Sequence, residues 1–233
     1  MLPIKKLFII IPVVIFLFSS CRENHKSVPS GLTEGMIVYK ITYSQETASQ
    51  QMSFLFPKEM TLFFKNDMQR LSFKGGLGLY NLDFIYGADS DSVLTLLEVG
   101  ILSKKLYLPT DNANIFIFSE ALNADVVLNS DENREIAGVI AKKAVLNSVS
   151  GNMFDIEIWY TDEVLAELPN KNTPFEKIPG IILESEVEYK NINFRFRAEK
   201  IDSCDVSDDK FMIPADFKLT TISEIEEMIN AVL

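Results

Sequence analysis

The feature that most constrains this chain is a period-two alternation that recurs from Gly35 onward. Ile37, Tyr39, Ile41 and Tyr43 alternate with Val38, Lys40 and Thr42. Phe154, Ile156, Ile158 and Tyr160 alternate with Asp155, Glu157 and Trp159, and Ile192, Phe194, Phe196 and Ala198 with Asn193, Arg195 and Arg197. Because strand side chains point alternately to opposite faces, each run predicts a half-buried strand with one apolar and one wet face. Turn-forming clusters separate the runs: Pro57-Lys58, Asn66-Asp67, Gly75-Gly76, Gly87-Ala88-Asp89, Ser130-Asp131-Glu132-Asn133 and Gly151-Asn152. Short strands punctuated this often predict an antiparallel barrel or sandwich. With 47% hydrophobic residues, the 233-residue chain has the means to bury a core. A disordered or collagenous chain is excluded.

One hairpin can be set in register from the sequence. A two-residue turn at Lys190-Asn191 pairs Tyr189 with Ile192, Val187 with Phe194, Glu186 with Arg195 and Glu184 with Arg197. Apolar residues then share one face and opposite charges meet on the other, each pair contributing ~0.2–1 kcal/mol. The triplet Glu184, Glu186 and Glu188 therefore reads as a solvated sheet face rather than a carboxylate site. Helix signals are few. Val164 to Leu168 after Asp162 predicts a turn or two ended by Pro169. Ser223 predicts the cap of a C-terminal helix whose Ile225, Met228, Ile229 and Val232 form one stripe. Eleven residues are marginal alone, so this helix must dock. Between Leu94 and Leu122, Phe116 and Phe118 carry the strand signal.

The first twenty residues have another character. Lys5 and Lys6 precede an apolar run from Leu7 to Phe18, broken by Pro12 and followed by Ser19-Ser20-Cys21. The run is too short to span ~30 Å of hydrocarbon and suits a secretory signal. Small residues before a cysteine resemble a lipobox, in which cleavage leaves a lipid-modified N-terminal cysteine; the alternative is an ordinary signal cut near Ser20. The expected organisation is signal 1–20, lipidated Cys21 and tether 21–34, and one β-rich domain 35–233. The tether, rich in polar and turn residues, would reach about 20 Å as a coil. Lipidation of Cys21 would leave Cys204 without an intramolecular partner.

The net charge is −11, and −13 once Lys5 and Lys6 leave with the signal. So acidic a chain does not bind nucleic acid through bulk charge. Its single histidine, His25, lies in the tether, which leaves no Ser–His or Cys–His relay for the domain. Ser207-Asp208-Asp209-Lys210 spells S-x-x-K without companion motifs. Gly75-Gly76-Leu77-Gly78 is followed by strand-like residues where a phosphate loop needs a helix. Asp202, Asp205, Asp208 and Asp209, or Asp89 and Asp91, lack the alternating ligands and central glycine of a calcium loop. No metal site, cofactor or catalytic group is expected.

Phenylalanine is what stands out, with seventeen in the chain. Phe54/Phe56, Phe116/Phe118 and Phe194/Phe196 sit at i, i+2, which puts both rings of a pair on one sheet face. Phe63, Phe73 and Phe154 join them as candidates. Such rings make either a closed core or the wall of a pocket for an apolar ligand.

Four segments resemble the GLPGLI-related family of bacterial secreted proteins. They are Thr33–Tyr43, Ile136–Ala144, Ile158–Glu163 and Ile178–Leu183. Ala141 stands where the central segment of that family has a cysteine. Pro179-Gly180 within the name-giving stretch also reads as a type II turn, and Gly138 as a bulge or close approach. Related envelope proteins resemble the LolA/LolB half-barrels, which implies an incompletely closed antiparallel barrel with helices in its concave side. Together these readings lead to a lipid-anchored envelope protein, with the periplasmic face of the outer membrane the expected address. It would bind a hydrophobic small molecule, a lipid or an acylated partner without catalysis. The alternatives are an interaction protein with a full core that docks an envelope partner, and a carboxylate-dependent hydrolase.

Overall fold

The structure is a computed structural model that describes residues 31–51, 53–88, 91–111, 115, 125–147, 155–164 and 166–232. Its strands are β1 (Glu34–Tyr43), β2 (Glu59–Lys65), β3 (Met68–Lys74), β4 (Tyr80–Gly87), β5 (Ser92–Val99) and β6 (Lys104–Asp111). They continue with β7 (Asp125–Ile136), β8 (Val139–Asn147), β9 (Ile156–Thr161), β10 (Ile181–Tyr189), β11 (Ile192–Asp202) and β12 (Lys218–Leu219). All twelve form one sheet in the order β12-β6-β5-β4-β3-β2-β1-β11-β10-β9-β8-β7. Every pairing is antiparallel except the short β12–β6 contact. The sheet does not close on itself, as the half-barrel reading expects, and a single sheet excludes the sandwich.

The sheet curls strongly. β4 and β10 are five strand spacings apart, about 24 Å if the sheet were flat. Yet Tyr80 and Leu82 of β4 line the same small cavity as Tyr189 of β10. Inward residues of nearly every strand consequently share one core, among them Ile37, Tyr39, Leu62, Phe64, Phe84, Leu97, Leu146, Ile158 and Phe196.

The hairpin set in register from the sequence is present as drawn, from Tyr189↔Ile192 to Glu184↔Arg197. Lys190 and Asn191 both take positive φ (48° and 63°), the conformation of a type I′ turn. Several local expectations yield to the structure. Ser130–Glu132 is not a turn between strands but a three-residue excursion within β7, because Asn129 pairs with Lys143 and Asn133 with Lys142. Gly138 marks no bulge; with Ala137 it makes the two-residue turn between β7 and β8, both at positive φ. Gly180 lacks the positive φ of a type II turn. It is glycine because a Cβ there would lie 2.1 Å from the Thr161 carbonyl oxygen. Val164 bridges Leu32 in place of starting a helix, and Leu32 is buried, so the body begins before Gly35.

Two segments cover the ends of the inner face. The β9–β10 connection buries Phe175 and Ile178 at one end. It is braced by Asn170, whose side-chain amide donates to the carbonyls of Ile178 (2.9 Å) and Gly180 (2.8 Å). After β11 the chain crosses the outer face as a strap. The Val206 carbonyl accepts from Lys65 Nζ at 3.0 Å and the Lys210 carbonyl from Arg70 Nη1 at 2.9 Å. Beyond β12 it enters the inner side as α2 (Ile222–Val232). This helix begins one residue before the expected cap: Thr221 receives the Glu224 N–H on its hydroxyl and the Ile225 N–H on its carbonyl. Ile225 and Ile229 are 0% and 2% exposed. Glu224 meets Lys104 of β6 at 3.1 Å, and Asn230 accepts from Lys190 of the β10–β11 turn at 3.0 Å. The six residue steps from Glu224 to Asn230, about 9 Å of rise, thus bridge the two sides of the curled sheet.

Candidate functional site

Beneath α2 the inner face holds an apolar cavity of about 60 Å³. β1 contributes Ile41 and Tyr43, β3 and β4 contribute Phe73, Tyr80 and Leu82, and the segment before β2 contributes Phe56 and Pro57. Tyr189, Ile192 and Phe194 close it from the β10–β11 hairpin, and Ile229 roofs it from α2. The rings interlock. Tyr43 lies 5.2 Å from Phe56 and 6.1 Å from Phe194, centroid to centroid, both tilted. Phe73 meets Phe84 edge-on at 6.4 Å, and Tyr39 meets Phe196 likewise at 5.6 Å.

The phenols differ in how they are satisfied. Tyr39 donates to the Ile182 carbonyl (2.9 Å) and Tyr43 to the Pro57 carbonyl (2.5 Å). The Tyr80 hydroxyl, on a residue 3% exposed, has no hydrogen-bond partner among the described residues. Burial pushes the phenols of Tyr43 and Tyr80 well above their ordinary range, so both remain neutral donors.

Tyr43 and Phe194 also line a second, more open space of about 580 Å³. It lies where β9 and β10 part. Their pairing ends at Glu184↔Trp159, leaving Ile156 apart from Glu186–Glu188. Val187, Ile156 and the two shared rings give this groove an apolar floor, and Glu186, Glu188 and Arg195 give it a charged rim.

The sequence-derived candidates separate accordingly. Phe56, Phe73 and Phe194 line the cavity, and Phe196 lies on the same inner face without lining it. Phe54 does not join Phe56, because the two belong to a helical turn and loop rather than a strand; it is 54% exposed. Phe63 faces outward, since β2 directs Met60, Leu62 and Phe64 inward, and Lys210 Nζ sits 4.8 Å from its ring. Phe116, Phe118, Phe154 and Cys21 lie outside the described residues. Counting phenylalanines missed Tyr43, Tyr80 and Tyr189. For Tyr43 the signal was present, as the last inward residue of the Ile37–Tyr43 alternation.

On the outer face Glu184 is ion-paired rather than solvated. Its side chain is 7% exposed, with Arg134 at 2.7 Å and Arg197 at 2.8 Å. Arg134 in turn stacks 3.9 Å over the Trp159 ring. Glu186 pairs with Arg195 at 2.5 Å, so these carboxylates are engaged in holding strands together. Among the described residues no three His, Cys, Asp or Glu gather as a metal site, and no helix is long and apolar enough to cross a membrane.

No protein-family model matches the chain, and no curated protein matches it. Solved structures resemble it at low identity. An uncharacterized conserved protein from Thermus thermophilus is 9% identical over 81% of this chain and 90% of that one, with a TM-score of 0.44. MucB is 10% identical over 83% and 62%, with a TM-score of 0.34. In the Pseudomonas aeruginosa MucA/MucB complex the match is 11% identical over 81% and 58%, at 0.35. The chain spans less than two thirds of these MucB chains.

Proposed function

We propose that this is a lipid-anchored protein of the cell envelope, facing the periplasm, that works by binding an apolar guest rather than by chemistry. The observation that carries the reading is the aromatic cavity beneath α2, two of whose rings, Tyr43 and Phe194, also line the larger groove. A cavity of about 60 Å³ takes only the small end of a molecule. The adjoining 580 Å³ lies within the ~300–1,000 Å³ of ordinary ligand sites and has room for a chain. The anchor rests on Ser19-Ser20-Cys21, and the segments that resemble GLPGLI-related proteins serve here as fold signatures: a hairpin turn, a strand and the close approach of Gly180 to Thr161.

A second reading is favoured by the tightness of the same site. With Ile225 and Ile229 buried and the rings in contact, the inner face can also be regarded as a filled core. The outer surface would then dock a protein partner of the envelope. Native mass spectrometry separates the two. Residues 22–233 retain every core residue and all twelve strands, so this unit, exported to the periplasm without its anchor, is the one to examine. The binding reading expects a co-purifying apolar small molecule, or uptake of a fluorescent long-chain ester. Absence of both supports the filled core.

A further inference from the structure

We propose that Tyr80 is the polar anchor of this site, and that the guest is a neutral single-chain amphiphile with one hydrogen-bond acceptor at its small end: an alcohol, ester or ketone, not an ionised fatty acid. The inference rests on the binding reading above and names the chemical class of the guest.

The first observation is the unpartnered hydroxyl. A phenol 97% removed from solvent with no acceptor among the described residues leaves a costly group unsatisfied, and proteins rarely leave one without a use. The neighbouring Tyr43 hydroxyl, in the same lining, is already committed to the Pro57 carbonyl. Tyr80 therefore carries an uncommitted donor on a side chain that lines the cavity, and a guest's acceptor would meet it by a small adjustment of the ring.

The second observation is what the lining lacks. Every residue around the cavity is aliphatic, aromatic or proline, and none carries a charge. An ionised carboxylate placed there would lose its hydration with no counter-ion, a cost one phenol cannot offset. The nearest charges line the groove, where Glu186 and Glu188 outnumber Arg195 and would repel an anion. A neutral head meets neither penalty. Its chain would pass Tyr43 and Phe194 and lie on Val187 and Ile156 in the groove.

Chemical-shift titration of residues 22–233 with 1-octanol, 1-fluorooctane and octanoate at pH 8 tests this. 1-Octanol should bind more tightly than 1-fluorooctane, which keeps the chain but accepts hydrogen bonds poorly. Octanoate should bind at least roughly 50-fold more weakly than 1-octanol. Tyr80→Phe should weaken 1-octanol roughly five- to tenfold, the worth of one neutral hydrogen bond, and leave 1-fluorooctane unchanged. The same substitution should raise the thermal midpoint of the free protein, since it deletes an unsatisfied group. Ile229→Ala, which enlarges the cavity without touching Tyr80, should tighten 1-octanol and 1-fluorooctane alike. Equal affinities for 1-octanol and 1-fluorooctane, with no effect of Tyr80→Phe, would overturn the anchor while leaving an apolar site in place. If none of the probes binds either the wild type or Ile229→Ala, the binding reading itself fails, and the anchor with it.

Discussion

Replacing Ile225 by Ala is the sharpest probe of how α2 is held. Ile225 is wholly buried in the core but does not line the cavity, so the change loosens the helix without altering the guest's walls. An eleven-residue helix is marginal by itself, and its docking rests on two buried isoleucines worth about 2 kcal/mol each. The contacts of Glu224 with Lys104 and Asn230 with Lys190 are exposed to solvent and add little. Removing three carbons from a site of this kind costs about 3 kcal/mol. Helix propensity works the other way, because Ala is the better helix former, so any loss reports packing. A 3 kcal/mol loss corresponds to an undocked population about 150 times larger. Hydrogen exchange of the amides in residues 225–231 should accelerate by about that factor, while β1 to β4 keep their protection. Unchanged exchange in α2 would refute the docking role of Ile225. An equal loss across the sheet would show that helix and sheet open as one unit.

Further outcomes follow from the same geometry. Glu184→Gln should lower stability in urea unfolding by about 2 kcal/mol, less than for a fully buried pair because Arg134 and Arg197 remain partly hydrated. Gly180→Ala should cost about 3 kcal/mol or more through its clash with the Thr161 carbonyl, whereas Gly100→Ala, whose nearest contact is 3.7 Å, should stay within about 1 kcal/mol. Hydrogen bonds from Lys142 to Asp162 and from Lys143 to Glu157 hold both carboxyls below their usual range. Their stabilisation is present above the ordinary carboxylate pKa of about 4 and is lost as pH falls through the lower folded values. The thermal midpoint should thus fall between about pH 5 and pH 3, and less steeply in Asp162→Asn. Cys21→Ala should release the protein from membranes in a sedimentation assay; continued sedimentation would contradict the anchor.

The sequence carried what is local. Alternation and turn residues located the strands, and the Lys190-Asn191 hairpin could be registered because a type I′ turn, apolar pairing and charge pairing all agree. The stripe on α2 was equally legible, since helix periodicity needs no knowledge of the partner surface. What stayed hidden depends on distant residues. Gly180 looks like half of a turn until Thr161 arrives beside it, and Val164 looks helical until Leu32 bridges it. Ser130–Glu132 has the composition of a turn, and only the pairing of β7 with β8 makes it an excursion within a strand. The site was half visible. Phe56, Phe73 and Phe194 were found by ring count, while Tyr80 was not, because its importance lies in a hydroxyl left unpartnered by the fold.

The most direct test of the central claim uses methyl-labelled isoleucine and intermolecular nuclear Overhauser effects from bound 1-octanol. Contacts are expected to the methyls of Ile41, Ile192 and Ile229, which line the cavity, and to Ile156 in the groove. The exposed Ile101 and Ile140 should show none. Contacts confined to those two surface residues, or no contacts at saturating 1-octanol, would contradict the account.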